Sequence, residues 1–290
     1  MMNIKDFALA VLITAIWGVN FSVIKMGLES LDAFTLAGFR FLLCALPLVF
    51  FIKKPDVSII YVAAYGLTFG VGLWGMVSLG IHFGASAGMA SLILQMSAFL
   101  TVLLGVIFLG DNIDRIKILG FAIAIAGLGF IFMVADGSVT TIGLVFVLIG
   151  ALAMSATNII VKVSGAKRIF AFIIWSSLFS PIPLFLIAYF TQGQSALVSS
   201  LVNIDGKAIF SILFQVYPTT LFGYWVWNSL INKYQVSKVA PLSLLVAIFG
   251  VAGSFLIFNE TIGTEKLIAI VLIMTGLFIS TFSHKIKREK

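Results

Sequence analysis

The sequence predicts an all-α membrane protein with ten transmembrane helices, arranged as two inverted five-helix repeats. Three observations predict it: the composition, the spacing of the apolar segments and a similarity between the two halves. Of the 290 residues, 61% are hydrophobic and 10% charged, with a mean hydropathy of +1.18, whereas a soluble globular chain has about 25% charged residues. No segment has enough polar residues to cover a soluble domain, so we expect lipid to solvate the chain.

Short polar or turn-rich breaks separate ten apolar segments, each close to the roughly 20 residues that a membrane-spanning helix needs. These segments are continuously apolar rather than alternating, which excludes a β-barrel. The predicted helices lie at 6–26, 33–52, 58–80, 86–109, 115–135, 141–162, 168–190, 207–231, 238–258 and 265–284.

The distribution of lysine and arginine predicts the orientation, because these residues are retained on the cytoplasmic side of a membrane. With ten spans, 14 of the 18 basic residues fall on the side of the N-terminus and 4 on the other side, counting Arg40 inside the second span. We therefore expect a multi-pass membrane protein with both termini in the cytoplasm. The net charge of +7 is then a topology signal, and no nucleic-acid partner is expected.

An internal repeat relates the two halves of the chain. Sliding the chain along itself by 149 positions places Asp111 on Glu260 without a gap, so that the fourth and fifth helices resemble the ninth and tenth. The first five-helix repeat is expected at 1–135 and the second at 136–290. Because five is an odd number, the second repeat enters the membrane from the opposite side. Secondary transporters have this arrangement, with the substrate site between the repeats near the midplane.

Six segments in both halves carry a family resemblance: IWGVNFSVIKMGL (16–28), LAGFRFLL (36–43), GMASLILQMSAFLTVLLGVIFLGD (88–111), GYWVWNSL (223–230), YQVSKVAPLSLLV (234–246) and LIMTGLFI (272–279). In these segments the chain resembles the EamA family of the drug/metabolite transporter superfamily. The resemblance implies an inner-membrane exporter of small metabolites, particularly amino acids and derivatives such as cysteine and O-acetylserine, that works by alternating access. A broad drug or aromatic-compound exporter is the alternative within transport. An intramembrane enzyme or a passive channel is the alternative outside it.

Polar side chains inside a membrane span are costly and mark functional sites. Arg40, about seven residues into the second helix, is predicted to hold a substrate carboxylate through two parallel hydrogen bonds, with snorkelling to the lipid headgroups as the alternative. Gln95, near the midplane in the fourth helix, is predicted to bind the polar side chain or amine of the substrate. Ser91, one turn away on the same face, is also assigned to substrate binding. An interhelical hydrogen bond is the alternative role of Gln95.

Other polar and aromatic residues of the spans are further candidates for the lining of a substrate cavity. Those that we assign to substrate binding are Trp17, Asn20, Trp74, Ser78, Asn158, Trp175, Tyr224 and Asn228. Helical spacing also predicts two semi-polar stripes, formed by Gly70, Trp74, Ser78 and His82 in the third helix and by Tyr217, Tyr224 and Asn228 in the eighth. Packing between helices, or for the Trp and Tyr residues a place in the aromatic belt at the membrane interface, is the alternative role.

No carboxylate lies near the midplane for a proton relay, so a coupling role falls to His82 or Lys25, both near the outer surface. Asp111 and Glu260 are interpreted as helix-terminating residues. Cys44, the single cysteine, is interpreted as a small core residue. No catalytic group, metal site or cofactor is expected. The expected partners are a small-molecule substrate and membrane lipid, with the protein a monomer or, alternatively, a weak homodimer.

Overall fold

The computed structural model describes residues 2–110, 115–131, 133, 139–194, 198, 202, 204–234 and 236–286, and this part of the chain is helical, without a strand. In chain order, the helices that we number are α1 (Ile4–Gly27), α2 (Ala33–Phe50), α3 (Ile59–His82), α4 (Ala87–Leu109), α5 (Arg115–Ile131), α6 (Thr141–Ser164), α7 (Ile169–Gln192), α8 (Gly206–Lys233), α9 (Pro241–Phe258) and α10 (Thr264–Ile286). Within the described residues, nine helices are long and apolar enough to cross a membrane, and α5 is shorter at 17 residues.

The helix ends lie within a few residues of the breaks that the sequence predicts. Asn3, Asp32 and Asp205 each accept a hydrogen bond from a backbone N–H in the first turn of α1, α2 and α8. Gly110 and Gly165 follow α4 and α6 with φ values of +67° and +64°, a left-handed conformation that glycine adopts without strain. The polar and glycine residues that interrupt the apolar segments therefore also terminate the helices.

The helices pack in a pattern that repeats along the chain. α1 packs against α8 and α9, and α6 packs against α3 and α4. α2 packs against α7, and α5 against α10. These pairings are unchanged when every helix is exchanged for the one five places along: α1 packs against α8 and α9 as α6 packs against α3 and α4. α1 also contacts α4.

Interruptions in α3 and α8, and in α4 and α9, also correspond; α2 and α7 are broken as well, between Ala45 and Leu48 and between Ser177 and Pro181. α3 contains a π-helical segment at Leu67–Gly75, and α8 contains one at Gln215–Phe222, which begins 148 positions later. α4 is interrupted at Gln95, and the turn Ala240–Leu244 begins α9 at the corresponding place. The Gln95 amide nitrogen donates to the backbone oxygen of Ser243 over 3.2 Å, which joins the two interruptions directly.

Close contact between α1 and α9 depends on Gly18. A Cβ at this position would lie 2.6 Å from the Val246 carbonyl oxygen and from the Phe249 Cβ, and 2.7 Å from the Gly250 nitrogen. A side chain there would overlap the backbone of α9, so the two helices can approach this closely only because residue 18 is glycine.

Gly18→Ala is expected to lower the stability of the folded protein by roughly 1 kcal/mol, the low end of the range for overpacking, because α9 must move away from α1. The matched control is Gly129→Ala in α5, where a Cβ would meet no atom within 4 Å. The control should be neutral or slightly stabilising, since alanine favours a helix over glycine. Thermal unfolding of both variants in detergent tests the difference, and equal midpoints would contradict it.

Candidate functional site

Arg40 lies deep in the molecule on α2. Asp32 fixes the start of α2, because its carboxylate accepts hydrogen bonds from the Phe34 and Thr35 backbone nitrogens over 3.0 Å each. Arg40 follows eight residues later, which places its Cα about 12 Å further along the helix axis. The residue is 0% exposed. Snorkelling to the headgroups, the alternative role for this residue, is therefore contradicted.

The guanidinium group of Arg40 is held by α3 and α8. It donates to the Thr220 hydroxyl from Nη2 over 3.0 Å and from Nε over 3.3 Å, and to the Gln215 side-chain oxygen from Nη1 over 3.4 Å. On its face it lies 4.0 Å from the centroid of the Trp74 ring, a cation–π contact. No carboxylate within the described part of the chain pairs with it.

The neighbours of Arg40 come from the two π-helical segments. Trp74 lies in the segment of α3, and Gln215 and Thr220 lie in that of α8. In α8 the Thr220 hydroxyl donates to the Gln215 backbone oxygen over 2.7 Å. The Thr220 hydroxyl therefore accepts from Arg40 and donates to the backbone of the same segment, which also contains Pro218. π-helical segments occur often at functional sites, and here two of them surround one buried cation.

Residues of α1 complete this cluster. The Trp17 indole donates to the Thr219 backbone oxygen over 2.9 Å, and the Thr219 hydroxyl donates to the Asn20 side-chain oxygen over 3.1 Å. The rings of Trp17 and Tyr224 are 5.3 Å apart, and those of Tyr224 and Phe69 are 5.8 Å apart. We call this set the Arg40 cluster, and its members are Trp17, Asn20, Arg40, Phe69, Trp74, Gln215, Thr219, Thr220 and Tyr224.

Two nitrogens of the Arg40 cluster are buried without a protein partner within the described residues. They are Asn20 Nδ2 and Trp74 Nε1. The side-chain nitrogen of Asn228, one turn beyond Tyr224, is also buried without a partner among these residues. A buried donor without an acceptor destabilises a fold by roughly 1–3 kcal/mol. The cluster therefore combines a positive charge with free N–H donors, which is the chemistry of an anion-binding site.

Comparison with known proteins assigns this arrangement to a family. The sequence matches the EamA-like transporter family over residues 6–133 and 141–282. The chain belongs to that family. It is 36% identical to a probable amino-acid metabolite efflux pump of Escherichia coli (strain K12), over 97% of this chain and 96% of the relative. A pump of the same description from Salmonella typhimurium is also 36% identical, over 99% and 98%.

A solved structure shows that the fold of this EamA family member occurs elsewhere. The crystal structure of a protein that is 15% identical superposes with a TM-score of 0.64 and covers 98% of this chain and 99% of its own. The family match confirms the resemblance that the sequence shows, and the chain is a multi-pass membrane transporter similar to two probable amino-acid metabolite efflux pumps.

Several residues that the sequence nominates lie outside the Arg40 cluster of this EamA family member. The Gln95 amide nitrogen donates to the Ser243 backbone oxygen, and the Ser91 hydroxyl donates to the Gly88 backbone oxygen over 2.7 Å. The Trp175 indole donates to the Ile52 backbone oxygen over 2.8 Å. Asn158 is exposed and donates to Thr101 over 3.1 Å. Ser78 is buried one turn beyond Trp74.

The predicted stripe of the eighth helix is wrong at one residue. Tyr217 is 53% exposed, whereas Tyr224 packs against Trp17. Tyr217 lies inside the π-helical segment Gln215–Phe222 and Tyr224 lies after it. This segment has more residues per turn than an α-helix, so spacing by α-helical turns misplaces one of the two tyrosines. The predicted stripe of α3 is also wrong at its last residue, because His82 is exposed.

Sequence reasoning missed the polar residues of α8 that hold Arg40. A signal for them exists: Gln215, Pro218, Thr219 and Thr220 fall within six positions of an otherwise apolar span. A proline beside three polar residues inside a membrane helix indicates an interrupted helix that lines protein or a cavity.

Two ion pairs join the halves at the end of the bundle where α1 terminates. Lys25 Nζ lies 2.7 Å from a carboxylate oxygen of Glu260, which is 14% exposed, and Lys207 Nζ lies 2.6 Å from a carboxylate oxygen of Glu29. Burial raises the pKa of the Glu260 carboxyl, but hydrogen bonds, led by that from Lys25, outweigh it and hold the pKa below its usual value. Glu260 pairs with Lys25 rather than terminating a helix, and Asp111 lies outside the described residues.

Two more ion pairs join the halves at the opposite end. Lys233 Nζ lies 2.6 Å from a carboxylate oxygen of Asp6, which is 13% exposed and also accepts a hydrogen bond from Tyr234. Arg168 lies 3.7 Å from Asp56. The Arg40 cluster is therefore buried between two ends, and ion pairs join one half to the other at each end.

Proposed function

We propose that the protein exports small carboxylate metabolites of amino-acid type, such as cysteine and O-acetylserine. The observation that carries this proposal is Arg40, a fully buried cation whose hydrogen-bond partners Thr220 and Gln215 are both neutral. A buried cation without an anion is costly, and a substrate carboxylate would supply the missing charge. The relatives described as probable amino-acid metabolite efflux pumps support the same class.

The transport mechanism that we propose is alternating access by two inverted five-helix repeats, with α5 as the tenth membrane span. Three features support it: the packing pattern that survives a five-helix exchange, the π-helical segments of α3 and α8 at corresponding positions, and the interruptions of α4 and α9 at corresponding positions. In an inverted repeat, each conformation of one half has a counterpart in the other, so states open to either side have similar energies.

Both termini are expected in the cytoplasm, with the protein in the inner membrane, because 14 of the 18 basic residues then lie on the cytoplasmic side. On this orientation Lys25 and Glu260 face the periplasm, and Asp6 and Lys233 face the cytoplasm. Fusion of a reporter active only in the periplasm and one active only in the cytoplasm to the C-terminus tests the prediction. A signal from the periplasmic reporter alone would contradict it.

Counterflow in proteoliposomes tests the proposed substrate class. Labelled cysteine, labelled acidic, basic and hydrophobic amino acids and a labelled hydrophobic cation are each offered to vesicles preloaded with the same unlabelled compound. We expect accumulation of small carboxylate substrates and not of the cation. The aromatic rings around Arg40 favour one competitor, a broad exporter of drugs or aromatic compounds. Accumulation of hydrophobic cations without any carboxylate would favour that competitor and contradict the proposal.

A further inference from the structure

The Arg40 cluster has free donors and occupied acceptors. Asn20 Nδ2 and Trp74 Nε1 have no partner among the described residues, and their residues are 0% and 8% exposed. The Asn20 side-chain oxygen already accepts from Thr219, and the Gln215 side-chain oxygen accepts from Arg40. A ligand that enters this cluster meets N–H groups in need of acceptors, and it meets few acceptors for donors of its own.

The acidic residues of the described part of the chain are engaged elsewhere. Four of them form ion pairs and three lie at the starts of helices, away from the Arg40 cluster: Asp6, Glu29, Asp56 and Glu260 in the pairs, and Asp32, Asp205 and Glu265 at the helix starts. The other four of the chain's 11 acidic residues lie outside the described residues.

An α-ammonium group fits this environment poorly. Ammonium has N–H donors and no acceptor, so it would compete with Asn20 and Trp74 rather than satisfy them, and it would lie near the like charge of Arg40. The Trp74 face, which could otherwise hold a cation, is already covered by the Arg40 guanidinium at 4.0 Å. Acylation of the amine removes its charge and adds a carbonyl oxygen, which is an acceptor.

We propose that the Arg40 cluster binds carboxylates whose amine is acylated, such as N-acetyl amino acids, in preference to amino acids with a free ammonium group. Arg40 binds the carboxylate, and the Asn20 and Trp74 nitrogens donate to the acyl carbonyl or to the substrate side chain. This inference rests on the proposed function and narrows its substrate class.

Two isomers test the inference directly. N-acetylserine and O-acetylserine have the same atoms and the same carboxylate, but only O-acetylserine has an ammonium group. In counterflow with the wild-type protein, in a slightly acidic buffer that keeps the acetyl group of O-acetylserine in place, we expect N-acetylserine to be transported about tenfold faster, the effect of one unsatisfied buried polar group. N-acetylcysteine and cysteine provide a second pair of compounds.

Equal or faster transport of the ammonium-bearing compounds would overturn the inference. If that transport still required Arg40, the proposed function would stand. Transport of neither kind of compound, or transport of both that Arg40→Lys leaves unchanged, would instead overturn the proposed function.

A variant provides an independent test. Asn20→Asp changes one buried donor into a carboxylate, which can accept from an ammonium group, so the preference for N-acetylserine should fall to near parity. The matched control is Asn158→Asp in α6, where the asparagine is exposed and bonded to Thr101, and it should leave the preference unchanged. The same change of preference in both variants, or in neither, would overturn the inference. Should Asn20→Asp fail to reach the membrane, the wild-type ratio decides.

Discussion

Arg40→Lys is expected to lower the transport of carboxylate substrates roughly thirtyfold, while the amount of protein in the membrane stays unchanged. Lysine keeps the positive charge but loses the planar group that bonds Thr220 and Gln215 together and stacks on Trp74. Hydrogen bonds to a charged group contribute about 2 kcal/mol each, which corresponds to that factor. Initial rates of counterflow, normalised to the protein in the vesicles, provide the measurement.

Arg168→Lys is the matched control, because it makes the same chemical change at a residue whose side chain is 45% exposed. We expect this control to transport at close to the wild-type rate. Gln95→Ala tests whether the contact between α4 and α9 contributes to substrate binding. The Gln95 amide bonds the Ser243 backbone oxygen, so its loss should lower the stability of the folded protein more than it lowers the affinity for substrate. Normal transport by Arg40→Lys would eliminate Arg40 as the carboxylate-binding residue.

Removing one lysine at either end of the bundle is expected to increase the fraction of molecules that are open at that end. The rate at which a maleimide labels Cys44 measures this opening. Lys25→Met leaves Glu260 unpaired, and Lys233→Met leaves Asp6 without its cation, in carboxylates that are 14% and 13% exposed. An unpaired, partly buried carboxylate destabilises the closed end by roughly 1.4 kcal/mol, so the open state should become about tenfold more populated.

The native cysteine makes this prediction measurable without engineering a label. Cys44 is the single cysteine of the chain and is 0% exposed, one helical turn from Arg40. A membrane-impermeant maleimide should label Lys25→Met faster from the periplasmic side and Lys233→Met faster from the cytoplasmic side. Lys167→Met, at an exposed lysine, is the control. Equal labelling of both variants from both sides would contradict the assignment of these ion pairs to opposite gates.

The positions of the helices follow from the sequence with little help from tertiary structure. A helix in lipid must satisfy its own backbone hydrogen bonds and cover the hydrocarbon thickness of the bilayer with apolar side chains. Each span can therefore be predicted from an apolar segment of known length. The ends are readable too, because Asp32 and Asp205 cap helices locally and Gly110 and Gly165 adopt the left-handed conformation that ends them. These are interactions between residues a few positions apart.

The sequence also nominates part of the candidate site. Arg40 is conspicuous because a cation in an apolar span needs a partner or a function, and Trp17, Asn20, Trp74 and Tyr224 follow from polar or aromatic character within spans. The same reasoning nominates residues such as Trp175 and Asn158, which the structure bonds to Ile52 and Thr101. Residue character alone does not distinguish these two groups.

Only the tertiary structure decides which polar residues meet. Thr220 and Gln215 are 180 and 175 positions from Arg40, and they reach it because α8 of the second half crosses α2 of the first. The π-helical segments rotate Trp74 and Thr220 toward Arg40 and leave Tyr217 at the surface, a change of phase that α-helical spacing does not predict. The length and apolar character of each helix are local properties set by lipid, whereas the Arg40 cluster depends on contacts between distant helices.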